Sequence, residues 1–254
     1  GGAVAARLRA LGINYRVYDP WLDRETIDHP AELADVLACT VVTLHAELTD
    51  RRPWPSRHLL DEEALARLAP DCLLINASRG PVVDNLALLA LLEQAVAPAT
   101  VLDVWEGEPA IDHALLRRVR YGTPHIAGYS LDGKLLATRM LVQGMSDELG
   151  LAWLDPGSAA GEPAPLQITS QDTGAALLRT VISQRYDIAA DDVALRGATL
   201  GVEASAAASG FDRLRREYPE RREILGSRVS LQPPGMFEQR LLAGLGCLVG
   251  SAPG

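Results

Sequence analysis

Cysteine, aromatic residues and positive charge are all scarce in this chain. Its 254 residues include 3 cysteines and 2 phenylalanines, and only 5% are aromatic. Cys39, Cys72 and Cys247 are odd in number and widely spaced, which argues against a disulfide framework. Cys39 and Cys72 each open an apolar run, where a thiol is ordinarily a small core residue. A reducing, cytoplasmic setting fits. The formal net charge is −9, with 33 acidic against 24 basic residues and no basic cluster. Nucleic acid and anionic membrane surfaces are therefore not expected as partners. The most hydrophobic stretch, Leu86 to Val104, is broken by Glu93, Gln94, Pro98 and Asp103, so no run spans a bilayer. No basic region followed by an apolar segment opens the chain, and no signal peptide is visible.

What is present is alternation. Gly1 to Leu11 predicts a helix with Val4, Leu8 and Leu11 on one face and Gly12 as its stop. Ile13 to Tyr18 reads as a strand ending at Asp19-Pro20. A short helix over Pro30 to Ala38 and an apolar strand over Cys39 to Leu44 follow. Asp61 to Ala69 reads as a helix capped by Asp61, Cys72 to Ile75 as a strand, Asp84 to Ala95 as a helix, and Thr100 to Val104 as a strand. Apolar strands separated by helices indicate a parallel sheet covered on both faces, the doubly wound α/β class. Ligands of such sheets bind beyond the carboxyl ends of the strands. That directs attention to Asp19, His45, Ser78-Arg79, Asp103 and His125.

A long helix is predicted over Leu131 to Leu149, then a Pro/Gly/Ala/Ser-rich stretch from Asp155 to Pro165. The composition shift places a boundary near residue 155, giving domains over 1–154 and 155–254. Beyond it, Leu166 to Thr169 and Arg228 to Leu231 read as strands, and Gln171 to Gln184 and Gly210 to Leu225 as helices. The second domain is expected to be a small α+β unit.

Asp19 ends what reads as the second strand of a dinucleotide-binding unit. An acidic residue there accepts from the adenosine ribose hydroxyls and favours NAD over NADP. The matching glycine-rich turn belongs about 20 residues earlier, at Gly1 or before it. The expectation is that the first strand and most of that turn precede residue 1.

Three segments carry chemistry. In Ile75-Asn76-Ala77-Ser78-Arg79-Gly80-Pro81, an Arg between strand and helix can present a forked guanidinium to a carboxylate; alone, it would more often be a surface Arg beside a turn. In Val101-Leu102-Asp103-Val104-Trp105-Glu106-Gly107-Glu108-Pro109, either acidic residue alone would more often be a cap or a solvated charge. In Thr123-Pro124-His125-Ile126-Ala127-Gly128-Tyr129, a lone His among small apolar residues would more often be structural. His29, His45, His58 and His113 show no metal-ligand spacing, and no metal is expected.

Taken together, "NASRGPVVD", "VLDVWEGEP" and "TPHIAGY" resemble the signatures of D-2-hydroxyacid dehydrogenases in order, spacing and letters. The resemblance implies NAD as cofactor and a small 2-hydroxy acid as substrate. It implies that Arg79 anchors the substrate carboxylate and that His125 is the general acid/base. Glu108 would pair with His125, its charge favouring the imidazolium and fixing the ring. Asp103 would meet the nicotinamide end of the cofactor, with Ala77, Ser78, Arg79 and Gly128 lining the same cleft. NAD carries the redox chemistry, and the protein supplies orientation and charge.

"VVDNLALLALL", "HIAGYSLDGK", "YDIAADDVALR" and "GFDRLRREYPERRE" are similar to a branch of that family acting on a phosphorylated 2-hydroxy acid. In that branch Tyr129 contacts substrate, and a C-terminal domain makes a homodimer. One departure stands at Ala46-Glu47-Leu48, where the family usually has a short polar residue and Pro before Leu. Thr49 to Arg57 is not assigned.

Overall fold

The computed structural model describes residues 1–94, 97–151, 166–168, 172–231 and 235–250. In chain order the elements are α1 (Gly2–Ala10), α2 (Leu33–Leu37), β1 (Val41–Leu44), α3 (Glu62–Leu65), β2 (Leu73–Asn76), α4 (Asn85–Leu92), β3 (Ala99–Leu102), α5 (His113–Arg118), β4 (Tyr121–Gly122), α6 (Leu131–Leu149), β5 (Leu166–Ile168), α7 (Gly174–Ser183), α8 (Ile188–Thr199), α9 (Ala204–Arg216), β6 (Arg228–Leu231), α10 (Met236–Gly244) and β7 (Leu248–Gly250).

The chain forms two compact units, each discontinuous in sequence. The first gathers Gly1–Ala5, Asn14–Ala127 and Ile188–Tyr218; the second gathers Ala6–Ile13, Gly128–Asp187 and Pro219–Gly254. The boundary expected near residue 155 lies outside the described residues. The segment Ile188–Tyr218, expected with the C-terminal domain, groups instead with the first unit. Its attachment there is polar and specific. Buried Asp192 accepts the Gly122 N–H at 2.7 Å, and Arg196 donates to the Leu116 and Val119 carbonyls at 2.6 and 3.0 Å. These bonds satisfy the exposed end of α5 and the edge of β4, which would otherwise leave main-chain groups unpaired.

The first unit is built on a sheet of order β1-β2-β3-β4, every pair parallel. Leu74, Leu88, Leu102, Leu115 and Leu195 are fully buried around it. Each such leucine contributes about 1.5–3 kcal/mol relative to exposure. Three helices begin at acidic caps: Asp61 accepts the Ala64 N–H, as expected, Asp84 those of Leu86 and Ala87, and Asp112 those of Ala114 and Leu115. The unassigned Thr49 to Arg57 stretch is a loop closed by Ser56, whose hydroxyl accepts the Thr49 N–H and donates to the Glu47 carbonyl.

Ile13 to Tyr18 does not join this sheet. Its only ladder contact is an isolated parallel bridge between Val17 and Pro30. A β-strand needs a neighbour to take its N–H and C=O groups, and among the described residues no strand lies beside this segment. It is extended chain rather than the expected strand.

In the second unit β5, β6 and β7 make a parallel three-stranded sheet. Leu177, Val181, Val229 and Leu242 are buried against it. The helix expected over Gly210 to Leu225 is displaced: α9 starts earlier, at Ala204, and stops at Arg216. Pro219 accounts for the stop, because it has no N–H to give and disfavours helix in the residue before it. The chain beyond runs past Asp132, whose carboxylate accepts both Arg222 donors and the Glu223 N–H.

Candidate active site

The C-terminal edge of the first unit's sheet carries the residues singled out by sequence. Asn76 ends β2 fully buried, and its amide governs the turn that follows. Its Oδ1 accepts both the N–H and the hydroxyl of Ser78, while its Nδ2 donates to the Arg79 carbonyl. Ala77 is half-buried and Ser78 buried, so the turn is rigid beneath an exposed Arg79. The Arg79 guanidinium donates to the Ser78 carbonyl at 2.7 Å. Gly80 then lies flat on the Trp105 peptide, where a Cβ would collide with the Trp105 carbonyl. The loops after β2 and β3 are thereby in direct main-chain contact.

The loop after β3 is organised around two carboxylates. Asp103, 6% exposed, accepts the Thr123 hydroxyl at 2.6 Å and the Ile126 N–H at 2.8 Å through Oδ1, and the Ala127 N–H at 2.9 Å through Oδ2. Its carbonyl accepts the His125 N–H at 2.7 Å. These bonds hold His125 in the left-handed region, at φ 56°, which a non-glycine residue adopts only when its surroundings over-determine it. Glu108 is the second carboxylate. Its Oε1 accepts the Trp105 N–H at 2.7 Å, and its Oε2 lies 2.7 Å from His125 Nδ1. Buried Trp105 braces the arrangement from below by donating its indole N–H to the Thr123 carbonyl at 3.0 Å.

The structure therefore joins Glu108 to His125 and binds Asp103 to the loop that carries the His. Arg79 stands on the neighbouring loop without a bond to either. Asp19 lies apart from them, in a cavity of about 240 Å³ lined also by Tyr18, Leu22 and Trp54. There its Oδ1 accepts the Trp21 N–H at 3.0 Å. Burial, then the nearby Glu32 and Asp19 charges, pushes the Tyr18 phenol above its ordinary value. Gly128 and Tyr129 fall in the second unit, where Lys134 Nζ sits 4.4 Å from the Tyr129 ring centroid.

Sequence reasoning missed one assembly. His58, Asp84 and Glu106 converge, with His58 Nε2 2.7 Å from Glu106 Oε1 and Nδ1 3.5 Å from Asp84 Oδ2. Among the described residues this is the one group with metal-ligand types close enough to hold an ion. Here the imidazole lies between the two carboxylates, bonded to Glu106 and facing Asp84. The three lie on separate loops, so no spacing rule could have signalled them. No helix among the described residues is long and apolar enough to cross a membrane.

A parallel sheet with a fixed acid–imidazole pair and an arginine at its C-terminal edge defines a doubly wound α/β unit of the nucleotide-binding type. Residues 1–127 match the D-isomer specific 2-hydroxyacid dehydrogenase NAD binding domain, and residues 162–246 match a domain of unknown function, DUF3410. The chain belongs to the D-isomer specific 2-hydroxyacid dehydrogenase family. It is 42% identical to the erythronate-4-phosphate dehydrogenase of Cellvibrio japonicus, over 97% of this chain and 66% of that protein. It is likewise 42% identical to the enzyme of that name from Pseudomonas aeruginosa, with the same coverage. The chain thus spans 66% of the length of these relatives. A D-isomer specific 2-hydroxyacid dehydrogenase from Lactobacillus delbrueckii ssp. bulgaricus, solved in an NAD complexed form, superposes with a TM-score of 0.50 at 24% identity. That match covers 60% of this chain and 51% of the other, and it bears on the fold alone.

Proposed function

We propose that the protein oxidises 4-phospho-D-erythronate to its 2-oxo acid with NAD, in the cytoplasmic synthesis of pyridoxal phosphate. The 2.7 Å contact between His125 and Glu108 carries this reading. Oxidation of a secondary alcohol requires one group to take the hydroxyl proton while hydride leaves the same carbon. A neutral imidazole oriented by a carboxylate is suited to that task. Glu108 offsets the positive charge that His125 gains as the proton arrives. NAD, when bound, accepts the hydride; no further chemistry is asked of it.

Arg79 is assigned the substrate carboxylate. It is exposed, and its guanidinium donates to its own neighbour's carbonyl, a bond that a bidentate anion replaces readily. Asp19, with the cavity beside it, is assigned the adenosine ribose. Ala77, Ser78 and Gly128 are assigned to the cofactor. Asp103 is assigned the nicotinamide carboxamide: its Oδ2 accepts the Ala127 N–H, and a carboxylate oxygen has a second lone pair to offer. Tyr129 is assigned to substrate by its position in the family motif. A homodimer is assigned to the C-terminal domain by the family motifs there; α6, which groups with that domain's segments in the second unit, adds an apolar face in which Met140, Leu141, Met145 and Leu149 are all more than half exposed.

The substrate assignment follows the two relatives at 42% identity. A panel of 2-hydroxy acids offered to the intact protein, read as NADH absorbance, tests it. The highest kcat/KM is expected for 4-phospho-D-erythronate. A higher value for glycerate, lactate or phosphoglycerate would assign the protein to a sibling activity.

A further inference from the structure

The reaction as read above leaves His58 without a task, although its ring lies between carboxylates from two different loops. Its Nε2–H donates to Glu106 Oε1 at 2.7 Å, and its Nδ1 stands 3.5 Å from Asp84 Oδ2. Each carboxylate is pinned through its other oxygen. Glu106 Oε2 accepts the Asn85 N–H at 3.0 Å, and Asp84 Oδ1 accepts the N–H groups of Leu86 and Ala87, both at 3.0 Å. The Glu106 N–H returns to Asn85 Oδ1 at 3.1 Å. His58 is fixed by its backbone as well, donating its N–H to the Pro81 carbonyl at 2.7 Å. Its φ of 51° is left-handed, a conformation that a residue other than glycine keeps only where several contacts impose it.

The two loops joined here are the ones that carry the proposed reacting groups. Pro81 and Asp84 continue the turn that begins at Arg79. Glu106 lies on the same short loop as Glu108, two residues before it, and both follow Trp105, whose carbonyl packs on Gly80. A displacement of Glu106 would pass along one turn of backbone to Glu108, and from there to the ring of His125.

We propose that His58 is a positioning residue: its imidazole, bonded to Glu106 and lying against Asp84, holds the Glu106 loop in place and thereby sets Glu108 against His125. This rests on the dehydrogenase reading for its consequence in catalysis, but not for its consequence in geometry. A flat ring with nitrogens at two of its edges suits the place, one bonded to Glu106 and the other facing Asp84 at 3.5 Å.

The test uses the intact protein with histidine labelled in its ring nitrogens, and His58→Asn as the variant. Asn tolerates the left-handed backbone but cannot span both carboxylates. In His58→Asn the His125 ring resonances are expected to move, reporting an altered bond to Glu108. In the activity assay kcat is expected to fall about tenfold or more, with KM for NAD within about twofold of the parent. In a Glu108→Gln background, adding His58→Asn is expected to cost nothing further, because a residue that acts through Glu108 has nothing left to act on. Glu106→Gln keeps the side-chain volume and an oxygen for the Asn85 N–H, so it carries the test if His58→Asn does not fold. Unmoved His125 resonances in a folded variant overturn the proposal, as does an equal loss of kcat with and without Glu108. An inactive parent protein would defeat the dehydrogenase reading, and the resonances would still decide the role of His58.

Discussion

Glu108 divides its carboxylate between the main chain and a side chain: Oε1 takes the Trp105 N–H and Oε2 takes the ring of His125, each at 2.7 Å. One oxygen fixes where the carboxylate is, and the other fixes which way the imidazole faces. Glu108→Gln keeps the first bond, through the amide oxygen, and loses the charge opposite His125. The variant is expected to fold with little change in melting temperature and to lose about a hundredfold or more in kcat. Steady-state kinetics beside a melting curve checks both halves. A kcat close to the parent value would remove Glu108 from the mechanism.

Asp103 is buried under the His125 loop and accepts three bonds, from the Thr123 hydroxyl and the Ile126 and Ala127 N–H groups. Asp103→Asn turns one acceptor into a donor that must face an N–H or a hydroxyl. A loss of roughly 1–3 kcal/mol is expected in chemical denaturation. The left-handed His125 that depends on this loop should be disordered with it, and activity should fall together with stability.

Gly80 permits the contact between the loops that bear Arg79 and Glu108. Gly80→Ala places a methyl group into the Trp105 peptide. Neither partner is a flexible side-chain tip, so backbone must move. A destabilisation of roughly 3 kcal/mol is expected, measurable as a shifted urea midpoint at unchanged slope.

These loops also divide what the sequence disclosed from what it did not. Strands β1, β2 and β3 and the cap at Asp61 were legible, because burial on both faces and local N–H bonding leave marks within a few residues. Arg79, Asp103, Glu108 and His125 were legible as motif letters, and the pairing of the last two followed from their assigned roles. Ile13 to Tyr18 has strand composition, but among the described residues no strand lies beside it, a fact about other segments that its own residues do not carry. The helices α5, α8 and α10 and the strands β4 and β7 were overlooked; β4, β7 and α5 are brief, and α8 is fixed by bonds from Asp192 and Arg196 to segments far away in sequence. The His58 cluster was hidden for the same reason: its members lie 26 and 22 residues apart along the chain, at positions 58, 84 and 106, with nothing periodic between them.

In the second unit, the Arg222 guanidinium, helped by the Glu223 N–H, holds the Asp132 carboxyl below its ordinary value. A carboxyl depressed on folding adds stability above its unfolded pKa, and that stability is lost as pH falls through the folded value. Asp132 is 30% exposed and Arg222 16% at the side chain, so a contribution of about 1–2 kcal/mol at neutral pH is expected. Asp132→Asn should therefore melt lower than the parent at pH 7. The gap should narrow as pH drops below about 4 and close at lower pH. A gap independent of pH would assign the loss to packing instead of charge.

The most direct measurement is turnover of 4-phospho-D-erythronate by the intact protein carrying His125→Ala, with NAD reduction followed by absorbance and NAD binding measured in parallel. The account predicts a fall in kcat of about a thousandfold with NAD affinity retained. Undiminished turnover in that variant would contradict it.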